Sequence, residues 1–190
     1  YDPAARAPTW AKCIDRVTGG DTALQAFLQK AIGYALTGVS YEHVLFILWG
    51  SGRNGKSTFL ETIRSVLGDH ALNIGAETLA ASKRSAGGPS EDLARLAGVR
   101  FVTAAETEEG VHLAEALVKR MTGGDRLTAR LPYARASFEF APYAKIFLAT
   151  NHKPGIRGTD EGIWARIRLL PFTVQIPVSE RDSQLGEKLR

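Results

Sequence analysis

Gly50, Gly55, Lys56 and Ser57 stand at the spacing of a phosphate-binding loop. In Val44 to Thr58, VLFILWGSGRNGKST, the first glycine is followed by four residues and then by Gly-Lys-Ser. An apolar run precedes the loop and a helical pattern follows it, the frame in which such a loop holds a nucleoside triphosphate. Gly50, Gly52 and Gly55 let the backbone turn tightly, so that successive N–H groups and the positive end of the next helix aim at the β- and γ-phosphates. Ser51, Arg53 and Asn54 fill the loop and Thr58 closes it. Lys56 supplies a mobile positive charge and Ser57 a hydroxyl ligand for Mg²⁺. ATP and Mg²⁺ are the expected cofactors.

Two further segments place polar groups at the ends of apolar strands. Val99–Glu106, VRFVTAAE, ends in acid, with Glu108 and Glu109 just beyond. A carboxylate there can hold Mg²⁺ through water and orient the attacking water. Glu106 suits the metal role; Glu108, two residues on and on the same side of an extended chain, is a candidate base. Glu109 reads as a solvated acid at a helix start. Lys145–Asn151, KIFLATN, ends in an amide that can donate to the γ-phosphate and hold the water. A lone Asn at a strand end is more often a turn residue, so Asn151 draws its weight from the other two motifs.

The elements that position these groups can be read from periodicity. Asp21 can cap a helix whose apolar positions Leu24, Phe27, Leu28, Ala31, Ile32, Ala35 and Leu36 fall at helical spacing, with Gly38 as its stop. Residues 1–40 are expected as a helical lead-in packed on a core spanning 41–190. That core runs through strand Val44–Trp49, helix Gly55–Leu67, a weaker strand near Leu72–Ala76, a loop Ala81–Pro89 and a helix Ser90–Leu96. Farther on, Leu127, Ala129 and Leu131, then Pro132-Tyr133-Ala134-Arg135, then Phe138 and Phe140 predict two strands around a tight turn.

The composition excludes several classes. No apolar run approaches the ~18 residues needed to span a membrane, and there is no secretory apolar segment. The single Cys13 cannot form an internal disulfide, so a reducing cytoplasm is the expected setting. The net charge is only +4, yet residues 119–168 carry ten Lys/Arg against four acids. A basic face beside a nucleotide site suggests a polyanionic partner; an Arg-rich solvated surface would look the same in composition. The chain opens on Tyr1, and Ser179 followed by Glu180, Arg181 and Asp182 resembles a helix start close to the last residue, so a piece of a longer protein is expected.

In order along the chain, GSGRNGKST, RFVTAAETEEG, LVKRMTGGDRLTAR and KIFLATNHKPGIRGTDEGIWARIRLLPF resemble the successive motifs of the superfamily 3 helicase domain of phage- and plasmid-type primase-helicases, with poxvirus-type relatives. The resemblance runs from about residue 3 onward. It implies an α/β P-loop NTPase of AAA+-like form, with a parallel sheet of order 5-1-4-3-2 and flanking helices. It also implies a homo-oligomeric ring, a hexamer, that hydrolyses ATP to move on single-stranded DNA, with a primase region elsewhere in the same full-length chain. Asn151 matches the sensor asparagine, and Arg166 in WARI matches the arginine finger that reaches a neighbour's ATP. Arg168 competes with it: if both lie in one strand they share a face. A structural arginine paired with Asp160 or Glu161 is the bland alternative. Many relatives carry adjacent acids where Thr107 here separates Glu106 from Glu108, which leaves the identity of the base open.

By the same resemblance, the hairpin ahead of the Asn151 strand projects into the ring and grips DNA. Arg130, Tyr133 and Arg135 are its candidate contacts, the aromatic stacking on bases and the arginines meeting phosphate; a packed ribbon is the alternative. Two other functions share the loop. A DNA-binding ATPase switch that does not translocate would carry every motif, and a P-loop kinase would add an acceptor pocket and lid that nothing here marks.

Overall fold

The computed structural model describes residues 2, 4–81, 91–105 and 109–189. Helices α1 (Pro8–Thr18) and α2 (Thr22–Thr37) lead into strand β1 (Leu45–Trp49) and helix α3 (Lys56–Leu67). Strand β2 (Ala71–Gly75), the short helix α4 (Glu91–Arg95) and strand β3 (Phe101–Ala105) follow, then helix α5 (Glu115–Gly123). A ribbon of β4 (Leu127–Ala129) and β5 (Phe138–Phe140) precedes β6 (Lys145–Thr150), α6 (Glu161–Trp164), β7 (Ile167–Pro171) and α7 (Leu185–Lys188).

Five strands form one parallel sheet in the order β2-β3-β6-β1-β7. Strands covered on both faces read as continuous apolar runs, and β6 is buried at every position. Alternation within those runs divides the core in two. Leu45, Ile47, Val102, Ala104, Ile146 and Leu148 face one side with Val118 and Met121 of α5. Phe46, Leu48, Phe101 and Phe147 face the other, against Val17 of α1, Leu28 and Ala31 of α2, and Phe59 and Ile63 of α3. There the rings of Phe46 and Phe101 each lie 4.6 Å from that of Phe147, so three adjacent strands are tied by aromatic contacts worth about 0.5–1.5 kcal/mol each beyond their burial.

The local signals read in the sequence have physical counterparts. The Asp21 carboxylate accepts from the backbone N–H groups of Ala23 and Leu24, both at 2.9 Å, and Gly38 ends α2 in the left-handed conformation at φ 67°. Trp10 of α1 stacks on Phe59 of α3 at 5.7 Å, and Phe27 of α2 meets Phe46 edge-on at 6.2 Å, so both leading helices share the second core.

Several readings need correction. The helical lead-in expected over residues 1–40 is two helices, α1 bounded by Pro8 and by Gly19 at φ 64°, and α5 is an element that the sequence reading does not assign. Gly110 and Glu109 form an exposed turn, and the next helix begins at Glu115 rather than at Glu109. Ser179 lies in a single turn of 3₁₀ helix, and the following helix starts only at Leu185, with Asp182 accepting from the N–H of Gln184 at 2.9 Å. The loop residues Lys83 and Arg84 lie outside the described residues, as does Ser90 at the expected start of α4. Among the described residues, no helix is long and apolar enough to cross a membrane.

Candidate phosphate-binding site

The loop between β1 and α3 closes over the C-terminal ends of β1 and β6. It is held from behind by the segment after β7: the N–H of Phe172 donates to Trp49 O at 2.7 Å, that of Ile176 to Arg53 O at 3.0 Å, and the Asn54 amide to Phe172 O. The sequence assigns Gly50 to a tight turn, but its requirement is a close approach. A Cβ there would stand 1.9 Å from the Phe172 carbonyl oxygen, so no larger residue fits. Gly55 combines φ +79° with the side chain of Val17, whose Cγ1 would lie 2.4 Å from an added Cβ. Helix α1 thus seats directly on the loop, a contact between distant segments that no local pattern announces. Arg53 also adopts a left-handed conformation, φ 56°, and Gly52 another at φ 95°.

A cavity of about 360 Å³ is lined by loop residues 52–58, by Ala105 at the end of β3, and by Ala149, Thr150 and Asn151 at the end of β6. Lys56 stands inside it. Its ammonium donates to Gly50 O at 2.6 Å, Asn54 Oδ1 at 2.8 Å and Asn151 Oδ1 at 3.1 Å. All three acceptors are neutral, and the residue is buried. Burial pushes the Lys56 pKa below the ordinary lysine value, because the charged form loses hydration that no carboxylate among the described residues replaces. A desolvated cation facing only dipoles suits an anionic ligand of high charge, and a triphosphate is one. Ser57 lies exposed on the cavity wall and Thr58 beside it.

The tertiary structure therefore brings Asn151 to Lys56 across 95 residues of sequence. Glu106 and Glu108 lie outside the described residues; β3 delivers the chain to the cavity rim at Ala105, one residue earlier. A larger cleft, about 740 Å³ between α1, α2 and α3, is lined by Trp10, Ile14, Ile32, Phe59 and Ile63 and carries no titratable side chain.

The remaining candidates sit elsewhere. Arg166 occupies the turn before β7, so it shares no strand with Arg168. β7 runs parallel to β1 in the register Leu45↔Ile167 to Trp49↔Pro171, which puts Arg166 at the end of the sheet opposite the loop. Five residues of strand separate the two ends by about 13 Å, beyond the reach of this side chain to its own cavity. Arg166 pairs with neither acid considered for it: Asp160 is held by Lys119 at 2.7 Å, which keeps the Asp160 carboxyl below its usual range. Instead Arg166 donates through Nε to Thr122 Oγ1 at 3.2 Å and through Nη1 to Gly162 O. Arg168 donates to Ala165 O at 2.6 Å and Ile167 O at 3.1 Å, within its own turn.

Strands β4 and β5 pair antiparallel, Leu127↔Phe140 to Ala129↔Phe138, but Leu131, expected in the first strand, lies exposed in the connection of residues 130–137, which carries the three candidate DNA contacts. Tyr133 is fully exposed with φ 62°, Arg135 is exposed and Arg130 half-buried. The ribbon is rooted by Leu127 and Ala129, both buried. The local basic excess is not one face: Lys119 and Arg126 are ion-paired, Lys145 is buried, and Lys153 lies 4.3 Å over the Trp49 ring. Sequence reasoning misses Thr122 and Glu115, the latter accepting from the N–H groups of Arg157 at 2.7 Å and Gly158 at 2.8 Å. The only signal for either is the spacing of Val118 and Met121 before Gly123-Gly124.

Comparison with known proteins places this geometry in a lineage. The chain is 31% identical over 152 residues to "Putative helicase L207/L206" of Acanthamoeba polyphaga mimivirus and 30% identical over 155 residues to "Putative helicase 022R" of Frog virus 3; each match covers 80% of this chain and 16% of the relative. It is 32% identical over 130 residues to "Putative primase C962R" of African swine fever virus (strain Badajoz 1971 Vero-adapted), covering 67% of this chain and 13% of the relative. The chain thus spans about a sixth or less of the length of these curated relatives. Among solved structures, an apo form of the NrS-1 C terminal region superposes with a TM-score of 0.69 at 11% identity, over 97% of this chain and 42% of that one, a likeness of fold. Residues 48–166, from the strand that enters the loop to Arg166, match the model of the "Family of unknown function (DUF5906)", and the chain belongs to that family.

Proposed function

We propose that the chain is an AAA+-like P-loop ATPase domain of the superfamily 3 helicase type. In this reading it binds ATP with Mg²⁺ over Lys56, hydrolyses it at the interfaces of a homo-oligomeric ring, most simply a hexamer, and moves single-stranded DNA past the β4–β5 hairpin in DNA replication. The observation that carries the reading is Lys56: a buried ammonium held between the loop and Asn151 with neutral acceptors alone, in a cavity of about 360 Å³. Counted within the large sheet alone, the observed strand order is 5-1-4-3-2, which supports the AAA+-like assignment. The helicase and primase names of the viral relatives support the replicative context, and a primase region in the same full-length chain fits them.

Ser57 and Glu106 would hold Mg²⁺, which neutralises charge on the β- and γ-phosphate oxygens when bound. Lys56 meets the phosphates, Asn151 orients the water, and Glu106 or Glu108 takes its proton. Arg166, remote from its own cavity, supplies positive charge to a neighbour's.

The test is ATP turnover with and without single-stranded DNA, alongside solution mass and unwinding of a tailed duplex. DNA-stimulated hydrolysis by an oligomer that separates the strands is expected. Absence of hydrolysis at saturating ATP and Mg²⁺ sinks the reading. Turnover and DNA binding without unwinding identifies a switch, and transfer of the phosphoryl group to a small acceptor identifies a kinase.

A further inference from the structure

The contacts of Arg166 reach beyond its own turn. Its Nε donates at 3.2 Å to the hydroxyl of Thr122, in the last turn of α5, and that hydroxyl donates in turn to Val118 O at 2.8 Å. Thr122 is buried, so the acceptor is a single fixed oxygen rather than exchangeable water. Nη1 is held by Gly162 O in α6, and the carbonyl of Arg166 accepts from the N–H of Leu45 at the start of β1 at 2.8 Å. The guanidinium is therefore clamped between α5 and α6 while its backbone is pinned to the sheet.

Helix α5 ends at Gly124, φ 78°, and the chain enters β4 at Leu127. Leu127 is buried in the same core cluster as Val118 and Met121 of α5, so the helix and the root of the hairpin move as one packed body. Arg120 of α5 also donates to Arg126 O, just before β4, at 3.4 Å. The Arg168 guanidinium, by contrast, donates to carbonyls of its own turn, Ala165 O and Ile167 O.

We propose that Thr122 is a positioning residue: its hydroxyl sets the Arg166 guanidinium and, through the last turn of α5, ties that setting to the root of the β4–β5 hairpin. The inference rests on the reading that Arg166 serves a neighbouring nucleotide. A change in what the guanidinium contacts then pulls on Thr122 and reaches the hairpin by way of the short chain from Thr122 to Leu127 and one shared core.

The experiment compares Thr122→Val, which keeps the shape and removes the acceptor, with Thr122→Ser, which keeps the hydroxyl. Loss of a hydrogen bond to a charged group should lower kcat for ATP by about tenfold or more at unchanged KM, because the variant's own phosphate cavity is untouched. Thr122→Ser should recover activity to within about threefold of the parent, since the serine hydroxyl lacks only the methyl group that fixes its rotamer. Adding Thr122→Val to Arg166→Ala should cost nothing further, as two changes that break one interaction do not add. Amide exchange in Leu127–Ala129 and Phe138–Phe140 should rise about threefold or more in Thr122→Val and stay near parental in Thr122→Ser. Parental kcat and parental hairpin exchange in Thr122→Val overturn the proposal, as does a loss that multiplies fully with Arg166→Ala. A parent with no ATP turnover overturns the function proposed above, and in that protein unchanged hairpin exchange in Thr122→Val overturns the tie as well.

Discussion

Replacing Lys56 by alanine tests the assignment of the cavity where it is strongest. The substitution removes a cation that donates to Gly50 O, Asn54 Oδ1 and Asn151 Oδ1 at 2.6, 2.8 and 3.1 Å. Two effects on folding oppose each other. Hydrogen bonds from a charged donor contribute about 1.5–3 kcal/mol each at most. Holding an ammonium away from water without a counter-charge costs several kcal/mol, and the lowered Lys56 pKa has that cause. The net change in stability should stay within about 2 kcal/mol, or up to about 8 °C in melting temperature for a domain of this size. The effect on turnover has no such offset. The charge that meets the phosphates in the transition state is gone, and removal of one such preorganised group costs about 10²–10³ in kcat, or roughly 2.7–4 kcal/mol. The assay is phosphate release at saturating ATP and Mg²⁺, with a thermal melt of the same sample. Parental turnover refutes the phosphate role of Lys56. A loss accompanied by melting more than about 10 °C lower would instead mean that the ammonium chiefly holds the loop.

Arg166→Ala should bind ATP like the parent yet hydrolyse it roughly 10³-fold more slowly, and mixing it with the Lys56 variant should restore some turnover at hybrid interfaces. Full activity of Arg166→Ala in an oligomer would move the finger to Arg168. Arg135→Ala should weaken single-stranded DNA binding for all sequences alike and lower the slope of log affinity against log salt by about one for each phosphate that the arginine neutralises, measured by fluorescence anisotropy. Unchanged affinity would leave the hairpin as a packed ribbon. Lys145 donates to Val39 O at 2.6 Å and Tyr143 O at 2.8 Å, and burial pushes its pKa down to about 8. Between about pH 8 and 10 the unfolded chain holds a proton there that the folded chain has released, so stability should rise with pH through that window, by at most about 3 kcal/mol. Lys145→Met should lessen the rise in urea titrations and leave the share due to Lys56, whose pKa burial also lowers; an identical pH dependence in both proteins refutes the account.

Much of this architecture was legible because its determinants are local. The phosphate loop is legible as a contiguous string of glycines, lysine and serine at fixed spacing within nine residues, 50 to 58. The capping of α2 by Asp21 and Gly38, the strand before the phosphate loop and the presence of a hairpin follow from nearest-neighbour chemistry and from a side-chain period of two. The helix α5 was less legible: its apolar side is short, and Thr122 and Glu115 gain their partners, Arg166 and the N–H groups of residues 157 and 158, only when α6 and the loop after β6 fold against them.

Composition and motif spacing by themselves determined that a phosphate loop follows a buried strand, that Asn151 stands just past the end of another strand, and that a hairpin connection carries Tyr133 and Arg135. Proximity was decided only by tertiary structure. Parallel pairing of β1 with β6, Trp49 opposite Thr150, is what carries the Asn151 amide to the Lys56 ammonium. The same parallel register between β1 and β7 leaves Arg166 at the far end of the sheet, out of reach of its own loop. Gly50 illustrates the division: its spacing marks the loop, but the reason no side chain is tolerated there is the Phe172 carbonyl, brought from 122 residues away by the pairing of β7 with β1. Strand register is a collective property of the sheet, set by which apolar faces are buried together, and no single segment contains it.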